Sequence, residues 1–165
     1  MLDLEERENY RKVVELGPRA HSGLIAILSK ETNAVVVSRI MGIFVESSGD
    51  KSAAIRTICA CLATNDHWRT SVKIKTVAAE VLSKIGTSAD CDCLYPLTAD
   101  DNERVRVTSL RAISKIGDRD CGIWVEKSLN SRLKQLDVVE AASDATLKEG
   151  QTCLQILKER PVRLK

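Results

Sequence analysis

The side chains that could carry out acid–base chemistry are few and are poorly arranged for catalysis. His21 and His67 are the only histidines among 165 residues, and neither has a nucleophile at a spacing that favours a catalytic pair. His21 falls on a predicted helix. His67 follows Asn65 and Asp66 in a predicted turn, where capping and solvation account for it. The sequence also lacks a glycine-rich phosphate-binding loop, so it predicts no catalytic residue and a protein that is not itself an enzyme.

Residue types that bind metals occur in short, poorly directed pairs. The six cysteines are Cys59, Cys61, Cys91, Cys93, Cys121 and Cys153. Cysteines two residues apart on a helix point about 200° away from each other, so neither Cys-x-Cys pair converges as a zinc site requires. The pairs Asp90/Asp92 and Asp100/Asp101 could hold a hard cation, but helix caps and turns explain them better. We therefore expect reduced, buried thiols and predict neither a metal site nor any other cofactor.

Composition excludes several classes of protein. The chain is 44% hydrophobic, 29% charged and only 3% aromatic, which argues against intrinsic disorder and against aromatic stacking surfaces. A formal net charge of +2 is too small to indicate nucleic acid or an anionic membrane as a partner. The acidic Met1–Glu6 segment does not resemble a signal peptide, and no apolar run is long enough to span a bilayer. These observations predict a cytoplasmic protein with reduced cysteines.

An internal repeat is visible in the middle of the chain. The segment Val81-Leu82-Ser83-Lys84-Ile85-Gly86 recurs as Ala112-Ile113-Ser114-Lys115-Ile116-Gly117, displaced by 31 residues. Upstream, Lys73-Ile74-Lys75 aligns with Arg104-Val105-Arg106. A displacement of this size is typical of two-helix solenoid repeats.

Each repeat has a helical pattern of apolar residues. Between Glu103 and Ile116 apolar residues recur at three- and four-residue spacing, opposite a polar stripe. Gly86 and Gly117 are predicted to end their helices in the left-handed conformation. The predicted helices are Leu4–Leu16, Arg19–Lys30, Ala34–Glu46, Lys51–Ala63, Ser71–Ile85, Asp90–Thr98, Glu103–Ile116, Asp120–Leu129, Leu133–Lys148 and Gln151–Arg160.

Two stretches of the sequence resemble HEAT-like repeats of the variety also found in phycobilisome lyase subunits. Gly17-Pro18-Arg19-Ala20 with the helix after it is similar to an inter-repeat turn and first helix, and Asp90–Leu97 repeats the pattern with its internal proline. The resemblance implies one all-α domain, a right-handed superhelix of about five helical hairpins at 1–30, 31–63, 64–98, 99–129 and 130–165. In that family an aspartate of the intra-repeat turn and an arginine early in the second helix often bond across neighbouring units. Asp100 and Arg106 match these two positions, although Lys75 replaces the arginine one unit earlier.

Enzymes with this fold leave one alternative open. HEAT-repeat deoxyhypusine hydroxylases use His-Glu pairs to hold iron, and no His-Glu dipeptide occurs here. HEAT-like alkylpurine DNA glycosylases line a basic cleft with aromatics, whereas this chain is poor in aromatics. A bilin lyase-like accessory subunit of a modifying enzyme stays open, since that activity lacks a sharp local motif.

Cations on the second helices are the candidate binding residues, because the resemblance places those helices on the concave face. The candidates are Lys75, Arg104, Arg106, Arg111 and Lys115. They could form a face for a protein partner, such as an acidic segment. Alternatively, Arg104 pairs with Asp137 and Arg111 with Glu80 or Asp144, which would make the stripe structural.

Trp68 is the remaining candidate contact, because it lies in a polar turn without apolar neighbours. Exposed, it would anchor a partner; buried, it would fix the connection between two helices. The sequence thus favours a non-enzymatic protein-binding scaffold. Nucleic-acid binding is the weaker alternative, because acidic residues are interleaved with the basic ones. The oligomeric state stays open.

Overall fold

The computed structural model describes residues 4–160, except for the side chains of Leu4, Val138, Val139 and Ala142. This part of the chain is all-α and contains no strand. Its α-helices are α1 (Leu4–Leu16), α2 (Pro18–Leu28), α3 (Ala34–Glu46), α4 (Ser52–Thr64), α5 (Asp66–Thr70), α6 (Val72–Ile85), α7 (Cys91–Leu94), α8 (Glu103–Ile116), α9 (Cys121–Leu133), α10 (Val138–Ser143) and α11 (Ala145–Lys158). Two 3-10 helices, Ser88–Asp90 and Tyr95–Ala99, flank α7. Within the described residues, no helix is both long and apolar enough to cross a membrane.

The predicted helices of the first two thirds are largely confirmed. The exception is the segment predicted as one helix from Asp90 to Thr98, which forms the four-residue α7 between two 3-10 helices. The bounds of α1, α3 and α8 agree with the prediction. Helices α3 and α8 both have a buried apolar face and begin at an asparagine cap. The short helix α5 was not predicted. Its cap is the Asn65 side chain, whose Oδ1 accepts the backbone N–H of His67 at 3.0 Å and of Trp68 at 3.3 Å.

The predicted helices of the C-terminal third are wrong in two places. The segment predicted as one helix from Leu133 to Lys148 breaks at Asp144, whose carboxylate accepts the Leu147 N–H and starts a new helix. Helix α11 then continues through Gly150, where the sequence had predicted a boundary. A mid-helix glycine is normally unfavourable, but here the Leu129 side chain packs against the backbone of Gly150.

The chain divides into two compact units, with the boundary between Val81 and Leu82 inside α6. In unit 1, α1 and α3 run parallel. Arg39 pairs with Glu6 at 3.2 Å, and a Cβ atom at Gly42 would lie 2.9 Å from the Tyr10 hydroxyl, so the contacts advance along both helices together. Helix α2 contacts α1, α3 and α4. The fully buried side chains of this unit include Leu28, Val37, Met41, Phe44 and Ile58.

Unit 2 repeats this arrangement with α8 and α11. These helices are also parallel, because Arg106 bonds to Thr146 near their starts and Arg111 pairs with Glu149 further along. Helix α9 packs against α11 and against the second 3-10 helix, which in turn packs against α8. Unit 2 therefore has two layers, with α8 and α11 in one and the second 3-10 helix and α9 in the other.

The glycines that follow α6 and α8 are not left-handed, contrary to the prediction. Gly117 has φ −67° and ψ 160°, and within the described residues only Gly17 and Gly49 have positive φ. Glycine is needed for lack of space. A Cβ atom would lie 2.6 Å from the Leu82 carbonyl oxygen at Gly86 and 2.6 Å from the Ile113 carbonyl oxygen at Gly117. The repeated glycine therefore ends both helices for the same steric reason.

Candidate functional site

The exposed side of α8 carries three of the predicted contact residues. The Asn102 side chain begins the helix by accepting the Arg104 N–H at 3.0 Å. From there the helical period places the side chains of Arg104, Arg111 and Lys115 on one exposed face. The opposite face is apolar and buried, with Val105, Leu110 and Ile113 at most 1% exposed. We call Arg104, Arg111 and Lys115 the α8 face.

The charges of the α8 face are only partly neutralised. Arg111 Nε donates to Glu149 Oε2 of α11 at 2.9 Å. The side chains of Arg104 and Lys115 form no hydrogen bond or ion pair within residues 4–160. At the end of the helix, Arg160 Nη1 donates to the carbonyl oxygens of Lys115 at 3.0 Å and Gly117 at 2.5 Å. Two cationic side chains are thus available to a partner.

Arg106 and Lys75 do not lie on such a surface. Arg106 is only 6% exposed, and its Nε donates to Thr146 Oγ1 at 2.9 Å. Its Nη1 donates to the backbone carbonyl oxygens of Asp100 at 2.8 Å and Asp101 at 2.9 Å. Lys75, in unit 1, is only 7% exposed. Both were predicted as partner contacts because the resemblance places the second helices on the concave face. A resemblance and a helical register do not show which side of each helix is covered.

The lateral pairings predicted for the acidic residues also differ from those observed. Asp137 forms a capping box with Glu140 at the start of α10 instead of pairing with Arg104. Asp144 pairs with Arg132, whose Nη2 lies 2.8 Å from Oδ2. Burial opposes ionisation of Asp144, but the hydrogen bonds from Arg132 and Leu147 outweigh it and hold the pKa of the carboxyl below its ordinary value.

Trp68 is buried, so its alternative role as an exposed anchor is wrong. None of its side chain is accessible to solvent, and its indole Nε1 donates to the Glu31 carbonyl oxygen at 3.2 Å. Trp68 therefore links α5 to the turn that follows α2. The burial of Trp68 agrees with the other predicted possibility, but its hydrogen bond goes to the distant Glu31 and not to the connection in which Trp68 lies.

One pairing of a nucleophile with a base was missed by the sequence analysis. His21 Nε2 lies 2.8 Å from Ser47 Oγ, and Phe44 contacts the imidazole edge-on at 5.4 Å between ring centroids. The spacing of 26 residues gave no signal for this pair. His21 and Ser47 are 8% and 5% exposed, so a substrate cannot reach the hydroxyl in this conformation. The contact ties α2 to the end of α3.

The cysteines correct one expectation. Four cysteines are free, buried thiols: Cys61, Cys91, Cys121 and Cys153. Cys59 and Cys93 are not free thiols, so the prediction of six reduced cysteines is wrong for these two. Burial is the main reason that the pKa of Cys153 rises to about 12, and Glu149 adds to the effect. Among the described residues, no group of three or more His, Cys, Asp or Glu side chains is placed to hold a metal ion.

Comparison with known proteins gives one informative match. No protein-family model and no solved structure matches the chain. A Caenorhabditis elegans protein described as "Uncharacterized protein C30G12.6" is 30% identical over 115 residues. The match covers 68% of this chain but only 10% of that protein. The chain thus resembles a small part of a much longer protein.

Proposed function

We propose that this chain is a non-enzymatic protein-binding scaffold built as a HEAT-like solenoid, and that the α8 face contacts its partner. The observation that carries the proposal is the pair of exposed cations, Arg104 and Lys115, which have no anionic partner within residues 4–160. Such side chains steer and orient a partner of opposite charge. We therefore propose an acidic protein segment as the ligand.

Helix order supports the solenoid part of the proposal. In stacked helical hairpins, the equivalent helices of successive hairpins lie parallel, and a helix of the other layer comes between them in the chain. The parallel pairs α1/α3 and α8/α11 support this order, since α2 separates the first pair and α9 with the short α10 separates the second. The 31-residue sequence repeat that ends α6 and α8 at a glycine adds a second, independent line of support.

Partial neutralisation of the α8 face favours a protein over nucleic acid. Glu149 is paired with Arg111, which leaves two isolated cations rather than a continuous basic stripe. Nucleic-acid binding depends on many phosphate contacts and falls steeply with salt. An acidic peptide needs only a few charged contacts around an otherwise neutral surface. We propose a cytoplasmic location for this interaction.

A capture experiment with charge-matched variants tests the proposal. Wild type, Arg104→Glu/Lys115→Glu and the control Lys127→Glu/Lys134→Glu are immobilised and exposed to lysate at low and high salt. Both double variants change the net charge equally, and the control positions are exposed residues on or just after α9. Circular dichroism and thermal melting establish that each variant is folded.

We expect a protein retained by wild type and by the control to be lost from the α8-face variant, and its retention to weaken with salt. Equal loss from both double variants would show a net-charge effect and contradict a specific face. Release of the bound protein by added duplex DNA would support the nucleic-acid alternative instead.

A further inference from the structure

A polar cleft of about 190 Å³ lies in unit 2, between the start of α8, the second 3-10 helix and α9. Its lining includes Thr98, Asp101, Arg106, Ser128, Ser131 and Arg132. We propose that this cleft binds a phosphate group through Arg106, Arg132 and Ser131. The inference does not depend on the scaffold function, because Arg106 lies on the buried side of α8, away from the α8 face.

Arg106 supplies the buried positive charge of the cleft. Its Nε and Nη1 are committed to Thr146 and to the carbonyl oxygens of Asp100 and Asp101. Its Nη2 makes no hydrogen bond within the described chain. Among the described residues, Ser109 Oγ is the one fully buried side-chain polar atom that lacks a hydrogen-bond partner. Arg106 Nη2 is therefore accessible to solvent. Because Arg106 lines the cleft and is more than nine-tenths buried, Nη2 is the donor left for a ligand.

Donors from α9 complete the cleft. Arg132 uses Nε and Nη2 to hold Asp144 Oδ2 at 3.1 and 2.8 Å, which leaves its Nη1 without a protein acceptor. The Ser131 hydroxyl is exposed at the mouth and makes no hydrogen bond within the described residues. Asp144 pairs with Arg132 and also lies within electrostatic reach of Arg106. The hydrogen bonds of Arg106 itself go to backbone and hydroxyl oxygens.

Two other carboxylates line the cleft and act against an anion. Asp100 Oδ1 accepts the Asn102 N–H at 3.0 Å, which fixes that carboxylate in the turn. Asp101 is exposed, and no hydrogen bond holds its carboxylate within residues 4–160. Its negative charge weakens anion binding through simple repulsion. Removal of the Asp101 charge is therefore expected to strengthen anion binding, and addition of a negative charge nearby is expected to weaken it.

Size and donor chemistry select the ligand class. A volume of about 190 Å³ is below the range of about 300–1,000 Å³ that drug-sized ligands occupy. Guanidinium groups bind the oxygens of phosphate through charge-assisted hydrogen bonds. A single phosphate group therefore fits, either as the free ion or at the end of a phosphorylated side chain.

Binding is tested by calorimetric titration of the full chain with inorganic phosphate at constant ionic strength, with sodium chloride as the reference salt. The decisive variant is Ser131→Asp, which adds a carboxylate at the mouth. Its matched control is Asn130→Asp, the same charge change on the adjacent exposed residue of α9, which does not line the cleft. Asp101→Asn removes the opposing charge.

We expect saturable phosphate binding that Ser131→Asp weakens by about tenfold or more, Asn130→Asp leaves within about twofold, and Asp101→Asn tightens. Titration with O-phosphoserine identifies the source. Tighter binding than phosphate indicates a phosphorylated side chain, and equal binding indicates the free ion. The proposal is overturned if neither probe saturates, or if Ser131→Asp and Asn130→Asp behave alike in melting-matched samples.

Discussion

The side chain of Leu129 occupies the space that a Cβ atom of residue 150 would need. An ideal Cβ at Gly150 would lie 2.7 Å from Leu129 Cδ1, closer than real Cβ contacts allow. Helices α9 and α11 therefore approach each other at this point because residue 150 has no side chain. Interiors are packed closely enough that one extra methyl group must displace its neighbours.

Gly150→Ala is accordingly expected to destabilise the protein by about 1–3 kcal/mol, although alanine favours helices. Gly23→Ala is the matched control, because Gly23 is exposed in α2 and no other atom lies within 4 Å of its ideal Cβ. That change is expected to stabilise by about 0.5–1 kcal/mol. Urea denaturation measures both, and a Gly150→Ala variant as stable as wild type would contradict the close packing.

Because of Asp144, the stability of the folded protein is expected to decrease at acid pH. The pKa of its carboxyl is lowered in the folded protein, so the pair with Arg132 contributes fully above the unfolded pKa of about 3.9. The contribution is lost as pH falls below that value and through the folded pKa. We expect Asp144→Asn to be less stable at pH 7 and to lose less stability than wild type between pH 5 and pH 3.

The Asp144 side chain stabilises the protein in two ways, and both are lost when it is replaced. Asp144 caps α11 and pairs with a partly buried Arg132, so its replacement by alanine is expected to cost about 3 kcal/mol at pH 7. Chemical denaturation at pH 7 and pH 3 separates these roles. A difference between wild type and variant that does not shrink at low pH would contradict the assignment of the charge.

Two arginines of α8 are expected to differ widely in their contribution to stability. Arg106→Met leaves the carbonyl oxygens of Asp100 and Asp101 without their donor, which is expected to cost about 3 kcal/mol. Arg111→Met removes an exposed pair with Glu149 and is expected to cost less than about 1 kcal/mol. Thermal melting of both variants checks this order, and similar costs would show that Arg106 is not buried in solution.

Fluorescence can test the burial of Trp68 directly. Trp124→Phe leaves Trp68 as the only tryptophan, and its emission is expected to be blue-shifted and weakly quenched by acrylamide. Trp68→Phe leaves the Glu31 carbonyl oxygen without its donor and is expected to cost about 1–3 kcal/mol. Strong quenching in the folded Trp124→Phe variant would restore the exposed-anchor alternative.

The sequence by itself determined the all-α class, most helix bounds and the repeated glycine ends of α6 and α8. These features depend on local pattern: apolar periodicity, asparagine caps and turn residues act within a few positions of one another. The exposed positions of Arg104, Arg111 and Lys115 also followed from helical register.

The tertiary structure alone decided the features that depend on distant neighbours. Whether Gly150 breaks or continues α11 depends on Leu129, and whether Arg106 faces solvent depends on the carbonyl oxygens of the preceding turn. The same holds for the Trp68 bond to Glu31. Burial depends on which elements pack together. The sequence pattern therefore shows on which face of a helix a residue lies, but not which element covers that face.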